Sequence, residues 1–345
     1  MAVQIQPFGI SEEGKQADRI VFSDAAGNIA SVINYGAALQ ALQIRKPDGS
    51  LTDVCLGYDT LAEYEAANSC FGATMGRCAG RIADSRFVLS GQEYQVSENR
   101  KGFHIHGGFR GFHKRLWDYE VLEDGVCLIY RSSDGEEGYP GDLTARVTYR
   151  WQHSGVLELE YDCISNRETV INLTNHSYFN LNGHNSGTVL EHTLQIFSGF
   201  AAETRENSLP TGRYFPVAGT PLDFTQPCTI GSRIAQDYPP LTACGGYDHN
   251  YPLEEGLHTA AILTGTDGLT MTVKTDLPDL GLYTANFLAP QPGKGGAQYG
   301  PHCGVCLESQ YLPNAVNLPN VSPRPMFRAG ARYHHLTQFC FAHEP

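Results

Sequence analysis

Leu143-Thr144-Ala145-Arg146-Val147-Thr148-Tyr149-Arg150-Trp151 is the stretch on which the fold assignment turns. Leu143, Val147, Tyr149 and Trp151 share one parity, and Thr144, Arg146, Thr148 and Arg150 share the other. Successive side chains of a strand point to opposite faces, so this period of two fits a half-buried strand and not a helix. The pattern returns just downstream, where Leu157, Leu159 and Tyr161 alternate with Glu158, Glu160 and Asp162. It returns again where Leu269, Met271 and Val273 alternate with Thr270, Thr272 and Lys274. Val170, Ile171 and Leu173 predict a further, more apolar strand. Turn pairs punctuate these runs: Asp48-Gly49, Ser90-Gly91, Asp124-Gly125, Ser154-Gly155, Asn182-Gly183 and Asp267-Gly268. Asp124-Gly125 lies between 117–122 and 126–131, which predicts a hairpin. Thr60-Leu61-Ala62-Glu63 has the form of a capping box and predicts a short helix to about Ala67. There is no long amphipathic helix and no alternation of strand and helix, so the expectation is all-β. The architecture expected is a large antiparallel β-sandwich with a few short helices, as one domain over 1–345.

Composition narrows the function. The chain has 345 residues, 41% hydrophobic and 18% charged, an ordinary globular balance. Its formal net charge is -13, and no stripe of Lys and Arg offsets it, which argues against nucleic acid and anionic membrane surfaces as partners. No basic and apolar leader is visible at Met1–Ile10, and no run approaches the ~18 apolar residues of a spanning helix. The expected location is therefore the cytoplasm. Ten Cys are scattered without a framework, as reduced and mostly buried thiols would be. Cys303-Gly304-Val305-Cys306 matches C-x-x-C but lacks the context of a redox helix or a zinc ribbon. Asn172-Leu173-Thr174 matches a glycosylation pattern and carries no weight without a secretory leader.

Four polar clusters stand out. Gly102-Phe103-His104-Ile105-His106-Gly107-Gly108 sets two alternating His among glycines that let a ligand come close to the backbone. On a strand the two His face the same way; as metal ligands they lack a third partner at recognisable spacing. After Val170–Leu173 comes Asn175-His176-Ser177-Tyr178, so dense a polar set that burial requires partners for all of it. His176, flanked by Asn175, Tyr178 and Asn180, is a candidate acid or base held in a chosen tautomer. Asp248, introduced by Gly245-Gly246-Tyr247, is either a loop Asx-turn or a carboxylate accepting from sugar hydroxyls. Glu308 follows the apolar run Val305-Cys306-Leu307 and is expected near the end of a buried strand, where desolvation tunes its basicity.

Several motifs together resemble the aldose 1-epimerases, also called galactose mutarotases. They are Asn175-His176-Ser177-Tyr178-Phe179-Asn180-Leu181, Ile105-His106-Gly107-Gly108, Gly246-Tyr247-Asp248-His249, Tyr283-Thr284-Ala285-Asn286-Phe287-Leu288 and Leu307-Glu308-Ser309-Gln310. Gly76-Arg77-Cys78-Ala79-Gly80-Arg81-Ile82 and the run from Asp134 to Gly141 fit as well. The motifs follow the family's order and span essentially the whole chain. The resemblance implies a galactose mutarotase-like supersandwich with an open sugar cleft, interconverting the anomers of free aldohexoses without metal or cofactor. Position by position, it implies Glu308 as base and His176 as acid. It implies Arg81, His106 and Asp248 as sugar-binding residues and a small-molecule monosaccharide as the substrate; a monomer or homodimer is expected. The family usually has Asn before the arginine of its first motif, Asn three residues before His-Gly-Gly, and Gln two residues before Tyr-Thr-x-Asn-Phe. Gly80, Phe103 and Gly281 stand there instead, so a roomier pocket for a differently substituted sugar is expected.

Three other readings use the same residues. One is a sugar-binding protein, which would be expected to lack His176 or Glu308. One is a glycoside hydrolase with Asp248 and Glu308 as its carboxylate pair. One is a phosphosugar epimerase, which needs several basic residues in the cleft where Arg81 is the one assignable.

Overall fold

The alternating stretch is one strand, Leu143–His153. It pairs antiparallel with Gly125–Ser132 on one side and Val156–Ser165 on the other. The structure, a computed structural model, describes residues 3–205 and 207–343. These three strands belong to a nine-stranded sheet that runs Asp118–Val121, Gly125–Ser132, Leu143–His153, Val156–Ser165, Arg332–His343, Leu269–Thr275, His258–Thr264, Thr193–Ile196, Cys228–Thr229. Asp118–Val121 and Gly125–Ser132 form the expected hairpin. Arg332–His343 lies between strands distant in sequence and pairs with both.

Two smaller sheets complete the layers. A five-stranded meander takes up Gln4–Ile10, Gln16–Ser23, Ile29–Ile33, Ala38–Arg45 and Leu51–Asp53. A three-stranded sheet is made of Asp248–Pro252, Asp279–Tyr283 and Cys306–Gln310. The sheets share a core: Ile20, Val32 and Leu42 from the meander, Val147, Tyr149 and Leu159 from the large sheet, and Tyr251, Leu282 and Leu307 from the small one. Each such side chain contributes about 1.5–3 kcal/mol on burial. The other face of Leu143–His153 is ionic, with Arg146 on Glu120 and Arg150 on Glu160.

Helix is confined to short pieces. Leu61–Ala66 is capped as expected, with Thr60 and Glu63 bonding reciprocally. A second helix, Pro239–Cys244, was not foreseen; six residues are too few for a periodicity, although Pro239 starts it and Gly245 ends it in the left-handed conformation. No helix among the described residues is long and apolar enough to cross a membrane.

One expected strand is broken. Val170–Leu173 is not continuous: Thr169–Val170 and Thr174–Asn175 are separate two-residue pieces. Asn172 lies in the break. Its N–H donates to Arg77 O (3.0 Å), its C=O accepts from Ala79 N–H (2.7 Å), and its amide exchanges bonds with the Tyr311 backbone (3.1 and 2.9 Å). Asn172 is thus a cross-link among three segments and is buried.

Candidate active site

The three-stranded sheet presents one polar face. Residues directly opposite one another across a ladder share a face, and the register sets three rows: Asp248, Tyr283 and Cys306; Asn250, Gly281 and Glu308; Pro252, Asp279 and Gln310. The intervening residues His249, Tyr251, Leu280, Leu282 and Leu307 are buried. The polar face floors a cleft of about 820 Å³, whose lining includes His176, Glu308, Arg81, His106 and Asp248. All five residues singled out from the sequence therefore meet in one place.

Glu308 sits in the middle of its strand, not near its end as expected, because the strand continues through Gln310. Across the ladder stands Gly281, so the facing ladder position sets no side chain against Glu308. His176 Nε2 lies 3.8 Å from Glu308 Oε1, with both side chains below a tenth exposed. That gap is too long for a direct hydrogen bond. Burial raises the Glu308 carboxyl above its ordinary range, and the neighbouring His176 pulls it partly back.

His176 is fixed from several sides. Its N–H donates to Ala73 O (2.9 Å) and its C=O accepts from Gly72 N–H (3.0 Å). Tyr178 stacks on the imidazole at 5.0 Å and 20°. The flanking asparagines do not touch the ring: Asn175 donates to Gly72 O and Tyr149 Oη, and Asn180 donates to Gly187 O and Cys303 O. What meets Nδ1 is the Cys306 thiol at 3.6 Å. The polar cluster is not fully paired either, since Thr174 Oγ1 and Ser177 Oγ are buried without a partner.

His104 and His106 do not face the same way. The strand ends at Ile105, and His106 has φ 52, which breaks the alternation. His104 is buried between Tyr139 Oη (2.7 Å) and Ser97 O (2.6 Å), whereas His106 enters the cleft. The Gly80 N–H donates to His106 Nδ1 (3.3 Å), so a neutral His106 carries its proton on Nε2. Burial holds His106 well below the ordinary histidine range, which keeps it neutral.

The loop that carries His106 is fastened by the Asp134–Gly141 run. Glu137 accepts from the N–H groups of Phe109 (3.2 Å) and Arg110 (2.8 Å), and Arg77 donates to Pro140 O (2.9 Å), Gly141 O (2.8 Å) and Ser132 Oγ (2.7 Å). Gly107 has φ +83, and a Cβ there would lie 1.6 Å from Gly76 O. Gly107→Ala is therefore expected to cost about 3 kcal/mol, read as a lowered denaturant midpoint.

Arg81 bonds Asp248 (2.9 Å) and stands over the Phe103 ring at 5.8 Å. The room expected at two positions is already occupied. A Cβ on Gly80 would meet the Pro313 ring at 2.7 Å, and one on Gly281 would meet Gln310 Nε2 at 2.8 Å. Tyr178, Tyr283, Asn250 and Gln310, as well as the cations Arg100 and Lys114, also line the cleft, and none of them carries a site role in the sequence-based expectation. Cys306, dismissed with its C-x-x-C, belongs to the site; the pair opens a strand and no helix.

Among the described residues, His176, Cys306 and Glu308 offer metal-ligating atoms within 4.8 Å of one another. Cys306 stands at Nδ1 and Glu308 at Nε2. An ion on either ring nitrogen leaves the other donor at the far edge of the ring, so the set does not converge as a metal centre requires. The arrangement suits proton transfer instead: a desolvated carboxylate and an imidazole face the same small space.

Comparison with known proteins identifies the family. The family model for aldose 1-epimerase matches residues 18–340. Galactose mutarotase from Mus musculus is 40% identical over 315 residues, 90% of each chain. Aldose 1-epimerase from Escherichia coli K12 is 32% identical over 341 residues, covering 97% of this chain and 98% of its own. The crystal structure of galactose 1-epimerase from Lactobacillus acidophilus superposes with a TM-score of 0.88 at 25% identity, covering 100% of both chains. With its sheets folded as a galactose mutarotase-like sandwich and its motifs gathered in one cleft, the chain belongs to the aldose 1-epimerase family.

Proposed function

We propose that this isomerase interconverts the α and β anomers of free aldohexoses such as glucose or galactose, with Glu308 as base and His176 as acid. The observation that carries the reading is the 3.8 Å gap between Nε2 and Oε1. A hemiacetal carbon bears two oxygens, the hydroxyl O1 and the ring oxygen O5, and this spacing lets each oxygen rest on one group. Glu308 takes the O1 proton, the C1–O5 bond breaks as C1=O1 forms, and His176 protonates O5. Rotation about C1–C2 and closure with the roles reversed gives the other anomer. Each group would supply ~10²–10⁴-fold, roughly 3–5 kcal/mol of barrier. Arg81, His106 and Asp248 would orient the remaining hydroxyls, with neutral His106 donating from Nε2.

The hydrolase reading is disfavoured because the group facing Glu308 is an imidazole, while Asp248 is taken up by Arg81. Arg100 and Lys114 at the cleft wall give a phosphosugar some support, so the substrate panel includes glucose 6-phosphate. The test is polarimetry or anomer-exchange NMR on freshly dissolved α-anomers of glucose, galactose and the phosphosugar. Faster equilibration of a free hexose supports the reading. Acceleration confined to the phosphosugar moves the substrate class, and no acceleration on any aldose overturns the enzyme assignment.

A further inference from the structure

Past Glu308, the same strand ends on Gln310, two residues on and therefore on the same face. Gln310 is 4% exposed and lines the cleft, yet its Oε1 is buried with no hydrogen-bond partner. A buried, unpaired amide oxygen is costly unless something brings it a donor. Neither neighbour bonds it: Asn250 Nδ2 donates to Asp279 Oδ1 at 2.6 Å, and Asp279, opposite Gln310 on the ladder, leaves its Oδ2 unpaired as well. The amide is held where a side chain at 281 would have to go, with Nε2 2.8 Å from the position of a Cβ on Gly281. Only glycine at 281 leaves that slot to the Gln310 amide.

We propose that Gln310 accepts a hydrogen bond from the hydroxyl on C2 of the sugar, and so sets specificity at the carbon next to the anomeric centre. The assignment rests on the mutarotase reading above and follows from the order of groups along the strand. Cys306 meets His176 Nδ1, Glu308 faces His176 Nε2, and Gln310 comes next. With O5 on His176 and O1 on Glu308, the ring runs O5, C1, C2 in the same direction. The C2 substituent then falls beside Gln310, about 7 Å along the strand from Glu308. A site built to bond a hydroxyl discriminates against an analogue that lacks it, because its own polar group is left unpaired.

The test compares D-glucose with 2-deoxy-D-glucose, each rate divided by that sugar's own uncatalysed rate. The wild-type protein is expected to favour glucose by about 10-fold or more in kcat/KM. Gln310→Met, similar in length and without the amide, is expected to bring the ratio to near one by losing activity on glucose alone. Gly281→Ala pushes the flexible amide end aside and is expected to reduce the ratio in the same direction. A wild-type ratio near one, or a ratio unmoved in Gln310→Met, overturns the assignment; the second result would mean that Asp279, opposite Gln310 on the ladder, satisfies Oε1. Should Gln310→Met not fold, the wild-type ratio and Gly281→Ala decide. Acceleration of both sugars without discrimination sinks only the Gln310 assignment, whereas acceleration of neither sinks the mutarotase reading with it.

Discussion

Glu308→Gln is expected to slow anomer interconversion by about 10²–10⁴-fold and at the same time to make the protein more stable near neutral pH. The first effect follows from removing the base: the amide keeps the size and the burial but cannot take the O1 proton. The second follows from the environment that gives the base its strength. Glu308 is buried, and desolvation raises its carboxyl above the ordinary value of 4.5. In the pH window between the unfolded and the raised folded value, the folded protein holds a proton that the unfolded chain has released. Stability therefore falls as pH rises through that window. Above the raised folded value the cost of burying the ionised carboxylate is fully present. Gln carries no such cost, so its advantage over the wild type grows across the window and persists above it. Thermal unfolding of both proteins from pH 4 to 8 reads this, and a variant less stable than wild type at pH 7 contradicts it. The same direction governs activity. The base must be ionised, so the acid limb of kcat/KM is expected above the range of an exposed Glu. A limb at the ordinary carboxylate value would mean that desolvation does not tune this group.

Much of the frame was legible because its signal is local. Leu143–His153, Val156–Ser165 and Leu269–Thr275 alternate in sequence, and the large sheet buries one face of each. The helix at Leu61–Ala66 announced itself through Thr60 and Glu63, three residues apart. What joins these pieces was not legible. Arg332–His343 enters between Val156–Ser165 and Leu269–Thr275 through pairings that no local pattern encodes. Arg77 and Glu137 fasten loops by bonding backbone carbonyl and amide groups, which every residue possesses, so sequence gives no sign of the partner. Within the site, residue type was informative and placement was not. His176 and Glu308 stood out as a His in a polar cluster and a Glu after an apolar run. Cys306 and Gln310 carried a readable signal, since 306, 308 and 310 alternate on a single strand and must share the face of Glu308. The C-x-x-C spacing drew attention from that period. The expectation for His104 and His106 failed for the opposite reason: alternation was assumed one residue beyond the strand, where His106 turns into the left-handed region.

His176→Asn is expected to slow glucose anomerisation by about 10²–10⁴-fold, and the size of the loss is expected to depend on the ring atom. His176 is assigned to O5, whose departure from C1 without a proton would produce an alkoxide. An alkoxide is about as poor a leaving group as hydroxide, whose conjugate acid has a pKa of roughly 15.7. In 5-thio-D-glucose the ring atom is sulfur, and a thiol has a pKa of about 8.5, so the C1–S bond can break without an acid. The penalty of His176→Asn is therefore expected to shrink by about tenfold or more with the thio sugar. The penalty of Glu308→Gln is expected to persist, because the O1 hydroxyl still has to lose its proton. Ring packing does not produce this split: loss of the stack on Tyr178 at 5.0 Å, or of the Cys306 contact at 3.6 Å, would burden both sugars alike. Rates for the two sugars, each normalised to its uncatalysed rate, separate the cases. Equal penalties in His176→Asn would remove His176 from the ring oxygen. A collapse of the Glu308→Gln penalty with the thio sugar would exchange the two roles, placing the carboxyl at O5 and the imidazole at O1.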